Sequence, residues 1–296
     1  MKMMIEASGS LVSGYLINSI QESGNQAVAT DVSTANHAAV LADDYVVMPY
    51  VSDPELWSKT KRLLLEHQVD VVIPSFDETL LEWCRKMEEF KAIGVEVILS
   101  EFETIDTFQD KWKTYQFFKK IGIPTPETSL EQDYKLVKPR TGRGGGGIYI
   151  GDDPQDMKSM ISQDIVSGEE FTIDCFYGRD GKPVYIIPRK RLGVMHGKSL
   201  GGVTIKHDRI IEAVEEISKH LKFRGPINFQ CFEVDGGALS FIECNPRVAG
   251  GMALGFAASE NWMSLIESNL LKGEEIDPVE VKFGLQMHRY YAECFL

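Results

Sequence analysis

The first hundred residues alternate between short apolar runs and helix-patterned segments, and the rest of the chain abandons that alternation for paired runs. Met3 to Ala7, Gln26 to Thr30, Tyr45 to Met48, Val69 to Pro74 and Val95 to Leu99 read as strands. Leu11 to Glu22, Pro54 to His67 and about Glu78 to Ile93 carry helical spacing, the first ended by Ser23-Gly24-Asn25. Strands separated by helices pair in parallel, so residues 1–100 are expected to form a doubly wound parallel α/β lobe. With 296 residues, the chain has room for two or three such lobes.

From Asp110 the pattern predicts α+β structure over residues 101–296. Asp110-Lys111-Trp112-Lys113 opens an amphipathic helix through Lys120, stopped by Gly122 and Pro124. Asp153 to Ser162 is expected to be helical. Phe171 to Phe176 and Val184 to Ile187 read as a hairpin about Gly178–Gly181. A helix over Asp208 to Leu221 precedes two strands, Ile227 to Val234 and Leu239 to Cys244, joined at Asp235-Gly236-Gly237. A small flap lobe of about 113–165 and a C-terminal lobe of about 166–296 follow from this switch.

Inside the flap region Tyr134 to Val137 and Ile148 to Ile150 are strand-like runs. They enclose Lys138, Pro139, Arg140, Thr141, Gly142, Arg143 and the glycines Gly144, Gly145, Gly146 and Gly147. Without Cβ atoms such a loop lets backbone N–H groups close on an anion, and its three cations supply matching charge. A linker would not sit between two strand-like runs with three cations inside it; a plain surface hairpin tip is the alternative reading. The loop is not a Walker loop, because no G-x-x-x-x-G-K-[ST] occurs and it joins strand to strand. The Gly9–Gly14 turn lacks the G-x-G-x-x-G spacing of a dinucleotide site. Asp77 and Glu78 follow a strand end where open α/β sheets bind ligands, although helix capping is the expected role of these carboxylates.

A formal net charge of −13 argues against a nucleic-acid partner. The five cysteines lack C-x-x-C spacing and suggest reduced thiols in a cytoplasmic protein. No signal-like segment or long apolar run is present, so neither export nor a membrane span is expected. A homodimer is left open.

Gln230 lies on one late strand, and Glu243 and Asn245 lie two apart on the next, hence on one face. One carboxylate and two amide oxygens suit Mg²⁺ (or Mn²⁺) that also binds nucleotide phosphates and water. Arg247 can reach a phosphoryl oxygen. The alternative is a surface salt bridge between Glu243 and Arg247.

Lys111 after Asp110, Lys138 before a glycine-rich flap, Gln163-x-Ile165 with Glu170, and Gln230 followed by Glu243-Cys-Asn245-Pro-Arg247 resemble the ATP-grasp superfamily. The likeness is closest to the ATP-binding units of carbamoyl phosphate synthetase and runs from about residue 101 to 255. It implies an ATP-grasp fold behind the N-terminal lobe, with Lys111 and Lys138 on nucleotide phosphates. It further implies that Gly144 to Gly147 close over those phosphates and Arg140 assists. Gln163 and the backbone of Asp164 and Ile165 would meet adenine, and Glu170 the ribose. Glu243 would bridge two Mg²⁺ ions, each completed by Gln230 or Asn245, while Arg247 steadies the transferred phosphoryl group.

The chain holds one such unit, where carbamoyl phosphate synthetases join two. The expectation is therefore a stand-alone ligase that activates a small carboxylate with ATP for attack by an amine or thiol. A small-molecule kinase and a nucleotide-binding regulatory protein are the alternatives. The glycine-containing basic segment between Pro188 and Val203 is expected to be a functional loop, with Arg191 or Arg189 holding the acid.

Overall fold

The computed structural model describes residues 1–10, 13–142, 144–195, 198–290 and 292–295. Strands β1 (Lys2–Ile5), β2 (Gln26–Asp31), β3 (Asp44–Val47), β4 (Val71–Ile73) and β5 (Glu96–Val97) form one sheet in the order β3-β2-β1-β4-β5, parallel throughout. Helices α1 (Gly14–Glu22), α2 (Ala38–Leu41), α3 (Leu56–Glu66), α4 (Leu80–Arg85) and α5 (Met87–Lys91) connect these strands. The last predicted helix is thus two pieces, and the predicted start of the first, Leu11, lies outside the described residues. Period-two alternation sorts the strands onto two buried faces: Met3, Ile5, Ala27, Ala29, Val71 and Ile73 on one, Met4, Val28, Val72 and Val97 on the other.

Helices α6 (Phe102–Gln109) and α7 (Lys111–Lys120) lead to β6 (Thr128–Ser129), β7 (Leu136–Pro139), β8 (Tyr149–Ile150) and β9 (Met160–Gln163), a four-stranded antiparallel sheet ordered β6-β9-β7-β8. The helix expected over Asp153 to Ser162 is absent, and Met160 to Gln163 pairs as strand instead. Pro154 stands at its start, the Lys158 amide donates to the Asp156 side chain at 3.0 Å, and Ser159 has a φ of 59°. These local bonds compete with helix formation, and pairing with β7 completes the choice.

A six-stranded antiparallel sheet follows, ordered β14-β13-β10-β11-β12-β15. Its strands are β10 (Glu169–Tyr177), β11 (Pro183–Met195), β12 (Lys198–Thr204), β13 (Gly225–Glu233), β14 (Leu239–Asn245) and β15 (Gln286–His288). The segment expected to be a loop between Pro188 and Val203 is therefore mostly strand, since β11 runs to Met195 and β12 begins at Lys198. Its charges alternate faces as a strand requires, but without apolar residues between them the pattern does not read as a strand. Helix α8 (Asp208–Ser218) buries Ile210, Val214 and Ile217 against Phe171, Ile173, Phe229 and Phe241 on the back of this sheet.

The cluster on the first face of the parallel sheet continues into Phe176, Tyr185, Ile187, Val248, Met252, Phe256 and Trp262 of the C-terminal region. That region includes helices α9 (Ala253–Ala258) and α10 (Trp262–Leu265). Fully burying an aliphatic or phenyl side chain contributes about 1.5–3 kcal/mol. A shared core of this kind holds the parallel lobe firmly on the six-stranded sheet.

Candidate functional site

The register of the six-stranded sheet lines up the polar residues of its front face. Glu243 pairs with Gln230, Gln230 with Thr172, and Thr172 with Arg189. One step along, Asn245 pairs with Asn228, and Asn228 with Asp174. Directly opposed residues share a face, so these two rows form one continuous polar surface. A register shift opposite Gln230/Cys231 decides how β14 presents its residues. It lets Phe241 and Cys244, three apart, both point into the core while Glu243 and Asn245 stay in front. The structure thus brings Gln230, Glu243 and Asn245 together.

The flap sheet presents its cations to the same place. Lys138 Nζ donates to Gln163 Oε1 at 2.7 Å, and Gln163 Nε2 donates to Thr128 Oγ1 at 2.9 Å. Burial pulls the Lys138 ammonium down to about 8, with the Glu243 carboxylate opposing that shift and Lys111 adding to it. The three groups are therefore within electrostatic reach of one another. Lys111 Nζ donates to Gly142 O at 3.0 Å. Gly144 to Gly147 are exposed, three of them with φ between 66° and 73° (Gly144, Gly145 and Gly147), a conformation that favours glycine. Arg140 follows Pro139 at the end of β7. Its guanidinium pairs with Asp110, whose carboxylate also caps α7 by accepting from the Trp112 amide at 2.9 Å. Arg143 lies outside the described residues.

A narrow cavity joins the two sheets and is lined by Asp77, Gln109, Lys111, Gly142, Glu243 and Asn245, among others. A wider one, about 510 Å³, opens beside the segment linking β9 to β10, where Asp164 and Ile165 face Pro124, Leu239 and Ser240. Lys138, Gln163 and Glu170 line neither cavity. The convergence of charge lies at the narrow one. Glu170 pairs with Arg191, Nη1 to Oε1 at 2.8 Å, and Arg189 Nε donates to Asp174 Oδ2 at 2.8 Å with both groups buried. The two arginines of β11 are thus apart, each on its own carboxylate.

Arg247 resolves the alternative left open by the sequence. Its carboxylate partner is Asp77, not Glu243: Nε and Nη2 donate to Oδ1 and Oδ2 at 3.1 and 2.6 Å, and Nη2 also reaches Asn245 Oδ1 at 3.2 Å. Asp77 stands two residues before Thr79, the N-cap of α4. Its corner is held by buried Glu6, which accepts from the Ser75 and Phe76 amides, Thr79 Oγ1 and Trp83 Nε1. Burial raises the Glu6 pKa, against those four hydrogen bonds. The position of Asp77 at a strand end pointed to this corner; nothing in the sequence linked it to Arg247.

Comparison with known proteins gives a consistent picture. A family model described as ATP-grasp in the biosynthetic pathway with Ter operon matches residues 156–292, and a PylC-like N-terminal domain matches residues 7–98. The arginine-specific large chain of carbamoyl phosphate synthase from Bacillus subtilis is 24% identical over 281 residues, which cover 83% of this chain and 26% of that one. The 3-methyl-D-ornithine--L-lysine ligase of Methanosarcina barkeri is 26% identical over 160 residues, 52% of this chain and 42% of that one. The chain spans half or less of the length of these curated relatives. Among solved structures, the biotin carboxylase domain of Hydrogenobacter thermophilus 2-oxoglutarate carboxylase superposes with a TM-score of 0.72 at 15% identity, covering 96% of this chain and 73% of that one. N5-carboxyaminoimidazole ribonucleotide synthetase from Thermotoga maritima gives 0.68 at 17%, covering 95% and 78%. These structures share the fold.

Proposed function

Since the chain belongs to the ATP-grasp superfamily, we propose that it is an ATP- and Mg²⁺-dependent ligase that activates a small carboxylate as an acyl phosphate for attack by an amine or thiol. The observation that carries this reading is the convergence of Lys111, Glu243 and Asn245 on one narrow cavity, with Lys138 in electrostatic reach of Glu243 and Arg247 bonded to Asn245. The ligase named among its relatives agrees with it.

The donor set fits a hard cation. Gln230, Glu243 and Asn245 offer only oxygen, on one face and in register. Among the described residues no group of three His, Cys, Asp or Glu could hold a metal unaided. A site with a single carboxylate suits Mg²⁺ that takes its other ligands from phosphates and water. When bound, the ion supplies Lewis-acid neutralisation of charge building on the phosphates.

The chain's own residues do the remaining work. Lys138, held by Gln163, and Lys111 neutralise phosphate oxygens, while Gly144 to Gly147 close over them and exclude water. The hinge backbone at Asp164 and Ile165 receives the base, and Glu170, steadied by Arg191, accepts from the ribose hydroxyls. A carboxylate oxygen of the substrate bonds to the γ-phosphorus as the bond to the bridging oxygen breaks, releasing ADP. Arg247, oriented by Asp77, balances the charge on the transferred group. The amine then bonds to the acyl carbon, phosphate departs with the bonding pair, and the nitrogen loses a proton. Orientation and charge placement suffice, and no protein nucleophile is required.

The test is a screen of paired acids and amines for ADP release with the full chain, in parent and Glu243→Gln forms. We expect ADP release that needs both partners in the parent, and loss of at least about a thousandfold in the variant, comparable to removing a key transition-state contact. Equal turnover in the variant, or ADP release indifferent to any amine or thiol, would overturn the ligase reading.

A further inference from the structure

Tyr15, on α1, stands at the seam between the parallel lobe and the six-stranded sheet, its hydroxyl donating to Ala249 O at 2.7 Å. Burial raises its pKa, and the charges of Asp174, Arg289, Arg189 and Arg247 all act on it. Asp174 answers Arg189, and Asp77 answers Arg247. Among the described residues no carboxylate is salt-bridged to Arg289, so of these three guanidinium groups it is the one without a counter-charge in contact. Burial, and then the neighbouring charge of Arg189, hold Arg289 below the usual guanidinium range.

Two of the donors there have nothing to bind. Arg189 Nη1 and Arg289 Nε are buried with no hydrogen-bond partner among the described residues, and Arg189 as a whole is 3% exposed. Native proteins rarely leave such donors orphaned, and an orphan in a functional region points to a ligand or ion. The two side chains bracket one turn. Arg289 donates through Nη2 to Gly250 O, and a Cβ at Gly251 would overlap the Arg189 guanidinium. Only glycine lets the backbone lie flat on that group.

The place matters as much as the charge. Asp174, which holds Arg189, sits in one register row with Asn228 and Asn245. Arg189 itself, on β11, lies three strand spacings, roughly 14 Å, from the strand of Glu243 and Asn245 and two, roughly 10 Å, from that of Gln230. A carboxylate being phosphorylated must lie beside Glu243 and Asn245, so an anion on Arg189 and Arg289 is a different group.

We propose that Arg189 and Arg289 form a recognition site for a carboxylate that does not react. One substrate of the enzyme is then an amino acid or a dicarboxylic acid, gripped at one end while its other end undergoes the chemistry. The distinction between gripped and reacting ends rests on the ligase reading; the anion site itself does not.

The experiment measures the melting temperature of the full chain with MgADP, and then with MgADP plus each of a panel of L-amino acids, short dicarboxylates and the corresponding carboxamides. We expect at least one carboxylate to stabilise the parent while its carboxamide does not, and the two arms of the panel tell amino acid from diacid. Arg289→Gln should weaken that compound's binding by about tenfold or more, as loss of a charged hydrogen bond to carboxylate does. The response of the variant to MgADP shows that it is folded. Arg189→Lys, which keeps a cation for Asp174, serves as the second variant and should also lose affinity. In turnover, Arg289→Gln should raise KM for that substrate with little change in kcat, because a recognition contact is equal in ground and transition states. The proposal falls if no carboxylate outperforms its carboxamide, if binding survives both substitutions, or if kcat falls at unchanged KM. A response to MgADP without any carboxylate response would sink this site and leave the ligase reading standing. Carboxylate binding without an MgADP response would do the reverse.

Discussion

Lys138 is the residue of the proposed nucleotide site whose charge is most open to change. Its ammonium is drawn down to about 8 by burial, and a bound polyphosphate would raise it again by supplying anions. Binding therefore takes up a proton above pH 8. The protonated form is the one that grips phosphate, so affinity for MgATP should fall as pH rises through about 8, by up to about tenfold per pH unit until the bound-state value is passed. Lys138→Arg, charged throughout that range, should show a flatter profile. Titration calorimetry from pH 7 to 10 in two buffers of different ionisation heat reads both the affinity and the proton. A flat profile in the parent would mean that Lys138 does not bind the phosphates.

At the scale of elements, the flap is a hairpin whose tip must sit in left-handed backbone. Gly145 has a φ of 70°, and a Cβ there would meet only Ile148 at 3.7 Å, so alanine would fit in space but not in backbone conformation. The cost of that conformation for a non-glycine residue is about 1–2 kcal/mol. Because the tip is exposed and packs on no core, the free protein can relieve the strain locally. We expect Gly145→Ala to leave the melting temperature nearly unchanged and to weaken MgATP binding by about five- to thirtyfold, the equivalent of that cost. A fall in melting temperature without a loss of affinity would assign the glycines to folding rather than to the nucleotide.

Across the whole molecule, Glu6, Asp77, Arg247 and Asn245 form a line from the core of the parallel lobe to the proposed metal ligands. The side chains of Arg247 and Asp77 are 11% and 8% exposed, so the pair is close to a fully buried one. Removing one partner of such a pair costs about 3–5 kcal/mol, because the other is left charged and unanswered. Asp77→Ala should lower unfolding stability by about that amount in urea, and Asp77→Asn by less, since an amide oxygen can still accept. Both should slow turnover through a displaced Arg247. Unchanged stability and rate in Asp77→Ala would show that the parallel lobe does not support the phosphoryl site.

The sequence by itself determined most of the elements and which polar residues share the face of the candidate site. Short apolar strands separated by amphipathic helices leave a parallel sheet as the way to bury both faces, and Met3 to Ile5 with Val71 to Ile73 do so. Glu243 and Asn245, two apart on a strand, had to share a face. Tertiary structure decided what long-range pairing alone can decide. The register shift opposite Gln230 set which face that was, and the pairing of β11 with β12 turned an expected loop into strands. Asp153 to Ser162 lost its helix to pairing with β7. Partners distant in sequence were likewise invisible: Asp77 with Arg247 is separated by 170 residues, and Arg289 meets the Gly250 turn from the far end of the chain. A periodic pattern reports which way a side chain faces relative to its own element. Which charge answers it depends on how separate elements dock, and docking is fixed by the shared apolar core rather than by the charges themselves.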